Sequence, residues 1–184
     1  EERALLENLA ADISHGIATL RTEEHRRSAE AALRRSESIL DRAQQIAHTG
    51  SWEWDLNTHS VLWSDQMYRV FGYQPGEVAP SKEAVIAHTH PDDRERVAAN
   101  IRALVQGESS SIEIDHRVVW EDGLMRNVHM QCEVEFRDDR PVRIIGSTQD
   151  VTSQVRREVE LQRTNRALRM LSAVGQATRE AGSE

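Results

Sequence analysis

Carboxylates, imidazoles and one thiol are the side chains here that could do chemistry, and their spacing decides what they can do. Glu53, Asp55, Asp92, Asp93, Glu113 and Asp115 are the carboxylates available for paired acid–base work. Glu113 and Asp115, however, alternate with Ile112, Ile114, His116 and Val118, and that period of two turns both acids to solvent. His88-Thr89-His90 offers two imidazoles, but without carboxylates held beside them on a rigid element they make only part of a metal site. His90-Pro91-Asp92-Asp93 reads better as a turn and helix start, so no metal is expected. Cys132 is the single cysteine, which leaves neither an internal disulfide nor a cysteine-based zinc site. No glycine-rich phosphate loop is present, and no serine or cysteine has the partner pattern of a nucleophile. No catalytic residue is assigned, and the chain is not expected to be an enzyme.

A fold must position these groups, and the aromatic residues say where it lies. All of them fall between Trp52 and Phe136, so a packed centre is expected between differently built ends. The 184 residues are 38% hydrophobic and 29% charged, low in apolar material but globular. A formal charge of −8 argues against general nucleic-acid binding, and the basic pair Arg34-Arg35 reads as a solvated helix face. No apolar run approaches the ~20 residues that cross a bilayer. Glu1-Glu2-Arg3 does not open a signal peptide, and a cytoplasmic location is expected.

Residues 1–47 contain no proline and one glycine, Gly16. Leu6, Leu9, Ile13, Ile17 and Leu20 make one apolar stripe at helical spacing. The polar stretch from Arg21 to Ser28 interrupts it, and a new phase runs through Ala29, Leu33, Ser36, Leu40, Ala43 and Ala47. So narrow a seam suits a two-stranded coiled coil, and the phase change predicts two helical units joined by a charged segment. Around Gly50 the period becomes two, with Trp52, Trp54 and Leu56 on one face, and Asn57-Thr58-His59 turns into a strand over roughly 60–63.

Ser64 is placed to cap a helix, with Trp63 and Tyr68 at the positions of a hydrophobic staple. That helix should stop at Gly72, and a short one should follow around 81–87. Asp92 then reads as the cap of a third helix, with Glu95 as its capping-box partner and Val97, Ile101, Leu104 and Val105 on its inner face. Strand alternation over 112–118 meets a turn at Glu121-Asp122-Gly123. It resumes through Leu124, Val128, Met130, Cys132, Val134 and Phe136, and Asp138-Asp139-Arg140-Pro141 turns the chain into 142–150. From Val151 a helix is expected to about residue 180. Its seam begins at Val151, Val155 and Val159 and continues in another phase through Leu161, Asn165, Leu168, Ser172 and Gly175. The fold class is therefore α+β, an antiparallel sheet with short helices on one face, flanked by long coiled-coil helices.

Seven motifs in order resemble the PAS family, in the subgroup that opens with a Trp-x-Trp-Asp strand. They are residues 50–56, Trp63-Ser64-Asp65, Phe71-Gly72-Tyr73, Pro75-Gly76-Glu77, His90-Pro91-Asp92-Asp93, Arg117-Val118-Val119 with Asp122-Gly123, and the PAC-type run Gly146-Ser147-Thr148-Gln149-Asp150-Val151-Thr152. The likeness covers about residues 46–152 and implies a five-stranded sheet. Leu5 to Thr22 resembles the closing helix of a GAF-type sensory domain, and Leu161 to Thr178 the incoming helix of a further domain. The resemblance thus divides the chain into a GAF-like end at 1–20, a linker at 21–47, a PAS domain at 48–150 and an outgoing signalling helix at 151–184. Ile13-Ser14-His15-Gly16-Ile17 superficially resembles a sensor-kinase phosphoacceptor helix, but Gly16 stands where that family has an acid, and no proline follows.

The resemblance also implies a ligand cavity between sheet and helices. It falls near Met67, Val85, Ile86, Ile101, Ile114, His116, Val128, Met130 and Ile144, with core packing as the plainer role of these side chains. Light-sensing relatives hold flavin and need a reactive cysteine on a helix, whereas Cys132 lies in a strand pattern. Noncovalent flavin would have Trp52, Trp54 and Trp63 to stack on, though core anchoring is the expectation for them. Haem would need an axial ligand, for which His88 is best placed and His116 second. No cofactor is predicted. Asp150 and Thr152 take the family's relay position between the last strand and the outgoing helix.

The function expected is a sensory or relay module of a sensor histidine kinase or cyclic-dinucleotide enzyme. Its partners would be a second copy, packed along Leu33, Leu40, Val155, Leu161, Asn165 and Leu168, the neighbouring domains of the same polypeptide, and a small ligand. The alternative is a ligand-free dimerisation spacer that holds output domains in register.

Overall fold

The computed structural model describes the backbone of residues 2–181 and the side chains of residues 21–170. The stripe from Leu6 to Leu20, the His15 motif and the seam positions Ser172 and Gly175 lie outside the described side chains. The chain divides into two compact units, Glu1–Ala43 and Gln44–Glu184.

Helix α1 (Glu2–Ala47) supplies the whole of the first unit. The charged stretch from Arg21 to Ser28 is helical throughout, where two units joined by a charged break were expected. The reason is local pairing. Glu23 accepts from Arg26 at 2.8 Å and from Arg27 at 2.9 Å, and Arg26 reaches on to Glu30. These are three- and four-residue spacings, which support a helix without an apolar face.

The second unit is an α+β fold. Its elements are β1 (Thr49–Asp55), β2 (Val61–Trp63), α2 (Asp65–Val70), α3 (Lys82–His88), α4 (Pro91–Val105), β3 (Ser111–Val119), β4 (Met125–Arg137), β5 (Arg140–Asp150) and α5 (Thr152–Ala181). The five strands form one antiparallel sheet in the order β2-β1-β5-β4-β3. The first strand of the unit thus pairs with the last, and the three hairpin-linked strands occupy one side. Alternation sets the faces. Ile114, His116 and Val118 of β3, Val128, Met130 and Cys132 of β4, and Ile144 and Thr148 of β5 are buried, while Glu113, Asp115, Gln131 and Glu133 face outward.

Local chemistry explains most boundaries. The Ser64 side chain accepts from the Met67 N–H and caps α2, and the Trp63 and Tyr68 rings meet edge to face at 5.3 Å, as a staple requires. Gly72, at φ +88, ends that helix. Asp138 and Asp139 both take positive φ, which gives the two-residue hairpin between β4 and β5.

Three details differ from the sequence reading. Leu124 precedes β4 and is exposed, because the Trp120–Leu124 turn uses its backbone. Phe136 lies beyond a register shift between Glu135 and Phe136 and is also exposed. Val105, on the last turn of α4, faces solvent.

The cap of α4 is the largest correction. His90, not Asp92, is the N-cap, its Nδ1 accepting from the Asp92 N–H at 3.3 Å, with Pro91 as the first helical residue. Glu95 leaves the cap and accepts from Arg102. Asp93 turns inward to β3 instead. It accepts from the Arg117 backbone N–H at 3.0 Å, from Arg117 Nε at 2.8 Å and from Arg96 at 3.4 Å. It is only 8% exposed, but its partners Arg96 and Arg117 remain partly open to solvent. The Arg117 guanidinium holds its carboxyl well below the usual carboxylate range.

Because that pKa is depressed on folding, the stabilisation is complete above about pH 4 and is lost as pH falls through the native value. Asp93→Asn should therefore cost about 1–2 kcal/mol at pH 7, the scale of hydrogen bonds to a charged group near the surface. Urea denaturation at pH 7 and at pH 2.5 checks this. An equal loss at both pH values would show that the carboxylate charge is not what matters.

Candidate functional site

The inner face of the sheet and helices α2, α3 and α4 line a partly open cavity of about 50 Å³. Of the residues expected there, Met67, Val85, Ile101, His116, Met130 and Ile144 are on its wall. Ile86, His88, Ile114 and Val128 are not. Ile114 packs with Val97 and Met130, Val128 packs with Phe71 and Val118, and Ile86 stands half-buried on α3.

The residues expected at the cavity did not include its aromatic part, although Trp52, Trp54 and Trp63 were weighed as stacking surfaces for a flavin. Trp52, Trp54, Trp63 and Phe71 line it, together with Leu104 and Thr148. Trp63 stacks on Phe71 at 5.2 Å, and the Trp52 indole N–H donates to the Thr148 hydroxyl at 3.2 Å, adding a side-chain tie between the neighbouring strands β1 and β5. The alternation of Trp52, Trp54 and Leu56 had placed both tryptophans on the inner face, which was the available signal.

The two histidines singled out for a haem change places. His88 is engaged at both nitrogens: Nδ1–H donates to the Ala84 carbonyl at 2.9 Å, and Nε2 pairs with the Tyr73 hydroxyl at 2.7 Å. His116, on β3, is 4% exposed and borders the cavity, and neither of its ring nitrogens makes a hydrogen bond. Burial holds its pKa down to about 4, so the ring is neutral at pH 7. Asp93 nearby opposes that shift, as does the Ile114 carbonyl, which favours a proton on the ring without closing a hydrogen bond to it.

Neither prosthetic group fits these residues as they are arranged. Cys132 lies on β4, 4% exposed, and burial pushes its thiol up to about 11, which disfavours the thiolate. Pockets for drug-sized ligands begin near 300 Å³, several times the volume here, so an isoalloxazine or a haem would have to displace the tryptophans. Among the described residues no group of three or more histidine, cysteine, aspartate or glutamate side chains could hold a metal. No helix among them is long and apolar enough to cross a membrane.

A second set of contacts gathers at one end of the sheet. Thr152, 2% exposed, begins α5, and its hydroxyl accepts from the Asn127 N–H of β4 at 2.9 Å. Asp150 accepts from the Thr152 N–H at 2.9 Å and lies 3.7 Å from the Arg126 guanidinium, which stacks over Trp120 at 4.7 Å. Its own N–H donates to the His48 carbonyl at 2.9 Å, and the Gln149 side chain donates to the Ala47 carbonyl at 3.0 Å. The last residues of α1, strands β4 and β5, and the first turn of α5 are thus joined by one set of hydrogen bonds.

The family comparison agrees with this architecture. Residues 60–148 match the family described as PAS fold, and no curated protein matches the chain. Among solved structures, a sensory box histidine kinase/response regulator from Burkholderia thailandensis is 25% identical. That match covers 71% of this chain and 98% of that one, with a TM-score of 0.56. An RNA-binding light-oxygen-voltage receptor is 27% identical over 69% of this chain, with a TM-score of 0.55, and this chain spans 34% of that receptor. The N-terminal domain of a diguanylate cyclase with PAS/PAC sensor from Marinobacter aquaeolei is 22% identical over 58% of this chain and 97% of that one, and its TM-score of 0.50 supports the fold. The chain carries a PAS-fold domain, similar to the sensory domain of a histidine kinase.

Proposed function

We propose that the chain is a sensory relay module of a multidomain signalling protein, a sensor histidine kinase or a cyclic-dinucleotide enzyme. It receives a signal from its cavity or from a preceding GAF-type domain and passes it through a dimer of α5 to an output domain. The observation that carries this reading is the hydrogen-bonded junction of Asp150 and Thr152 with His48 and Asn127. A change in strand spacing at β4 or β5 must alter the first turn of α5, because Thr152 is bonded to both strands. The dimer is supported by the seam residues Leu33, Leu40, Val155, Leu161 and Leu168, which are between 41% and 61% exposed, and by the solvent-facing Asn165, a residue type that selects register in coiled coils. The single buried thiol suits the reducing cytoplasm.

The test uses residues 1–184 fused to a reporter kinase, with one to seven residues inserted after Gln162. Each inserted residue turns the following helix by about 100°, and seven nearly restore a coiled-coil face. Output should rise and fall with insert length and recover at seven. A smooth decline, or indifference to length, would leave α5 as a tether. A ligand-free spacer that keeps two output domains in register is the second reading, favoured by the small cavity. For that reading the fusion should keep its output unchanged by any small molecule added.

A further inference from the structure

Outside the cavity, three arginines line one groove. It measures about 850 Å³ and lies where the last residues of α1, helix α2, Trp120 and the start of α5 meet β4 and β5. That volume falls within the roughly 300–1,000 Å³ of small-ligand sites. Arg69 of α2, Arg126 of β4 and Arg157 of α5 face a single carboxylate there, Asp150, in a chain whose formal charge is −8. Their donors are little used. Arg126 lies over the Trp120 ring at 4.7 Å and 3.7 Å from Asp150, and none of its N–H groups makes a hydrogen bond among the described residues. Its Nε is buried, but the side chain is 28% exposed and its terminal nitrogens stay open to solvent. Arg157 is exposed and has neither a hydrogen bond nor an ion pair among the described residues. Arg69 has only long contacts, 3.5 Å to Gln66 and 3.8 Å to Asp65. A guanidinium carries five donors and makes its strongest hydrogen bonds to anions. We propose that this groove binds a small phosphate-bearing anion with two or more negative charges, held chiefly by Arg126 and Arg157.

The groove's residues select the class of ligand. Its three guanidiniums are carried by three different elements. A planar carboxylate presents its two oxygens to one fork, whereas a tetrahedral phosphate has oxygens for several. With Asp150 already present, more than one positive charge is left unbalanced, and a monoanion does not neutralise that. The Ser153 hydroxyl and the Gln154 amide, both exposed at the start of α5, add neutral donors. Trp120 is not free to stack on a base, since Arg126 lies over its ring and the Gly72 backbone packs against it. Recognition is therefore by charge. Occupancy also has a local effect, because phosphate oxygens on Arg126 compete with Asp150, the residue that accepts from the Thr152 N–H where α5 begins. The site stands on its own charges and requires nothing of the sensory reading above.

The experiment titrates the full chain, labelled with nitrogen-15 arginine, with pyrophosphate at low ionic strength. The Arg126 and Arg157 Nε–H signals should shift saturably, and the effect should weaken as salt is added. Arg157→Gln, at an exposed helix position, should weaken binding by about tenfold, the scale of one lost charge-assisted contact. Asp150→Asn keeps an acceptor for the Thr152 N–H but removes the competing charge, and should tighten binding several-fold. Misfolding cannot produce such a gain. Arg34→Gln with Arg35→Gln, which do not line the groove, should change nothing. Succinate, a dianion of planar carboxylates, should bind at least about tenfold more weakly than pyrophosphate. ADP distinguishes a nucleotide from free phosphate: binding tighter than pyrophosphate supports the first, and equal binding supports the second. Unmoved Arg126 and Arg157 signals at about 10 mM pyrophosphate, a concentration at which even millimolar binding would register, overturn the proposal. So does an equal loss from the Arg157 and the paired Arg34 and Arg35 substitutions, or succinate binding as tightly as pyrophosphate.

Discussion

Gly50→Ala should cost the domain at least about 3 kcal/mol, or prevent it from folding. Gly50 is buried in β1 opposite Thr148 of β5, at the place where helix α2 crosses closest to the sheet. A methyl group there would lie 2.5 Å from the Met67 backbone nitrogen and 2.8 Å from its Cβ, and would press on its Cα as well. The obstacle is backbone and not the end of a flexible side chain, so it cannot be turned aside. β1 is bonded to β2 on one side and β5 on the other, and Met67 is 2% exposed within the core. Overpacking of a core costs about 1–3 kcal/mol when side chains can adjust, and here two fixed elements would have to separate. Gly123→Ala is the control. Its φ is +83, but nothing lies within 4 Å of the added carbon, so a loss near 1 kcal/mol is expected. Urea denaturation followed by tryptophan fluorescence compares the two. A Gly50→Ala protein within 1 kcal/mol of the parent would mean that α2 does not rest on β1 as described.

A second large effect concerns acid. Stability should fall by roughly 3 kcal/mol between pH 6.5 and pH 4 on account of His116 alone. Burial lowers its folded pKa from 6.5 to about 4, so the unfolded chain takes up a proton over that interval and the folded chain does not. The sign follows: the contribution is complete above pH 6.5, is lost as pH falls, and changes no further below about 4. The charged groups around the ring are Asp93 and Asp115, which favour its proton, and Arg96, which opposes it. Arg117, beside His116 on β3, is turned to Asp93. Loss of the Asp93 pair begins only below about pH 4, so the two effects occupy separate windows. His116→Leu should be flatter than the parent between pH 4 and 6.5 by this amount, and more stable at pH 5. Parallel pH profiles for the two proteins would contradict the neutral buried ring.

Periodicity made most of the fold legible in the sequence, because a sheet with one wet face writes its faces into alternate residues. Glu113, Asp115, Gln131 and Glu133 point outward and Ile114, Met130 and Cys132 inward, as a period of two requires. A cap confined to a few residues was legible too: Ser64 acts where its neighbours predicted. What failed depended on partners distant in sequence. Asp92 and Glu95 have the spacing of a capping box, but the competing attraction for Asp93 comes from Arg117, 24 residues away. His88 could not be separated from a ligand position until Tyr73, 15 residues away, was seen to occupy it. The orphaned ring of His116 is the converse case. Alternation placed it indoors, but only the assembled walls reveal that nothing inside answers it.

The pairing of the first strand with the last has a consequence for how such a unit travels between proteins. Because Thr49 lies opposite Gln149 and Asp150 bonds to His48, the chain enters and leaves the domain one strand-spacing apart. An insert whose ends nearly touch can be spliced into a continuous helix without pulling the flanking halves apart, and it can be removed or repeated with equally little disturbance. The body between residues 48 and 152 is in this respect a self-contained insert. Duplicating it in tandem would call for no redesign of the chain on either side.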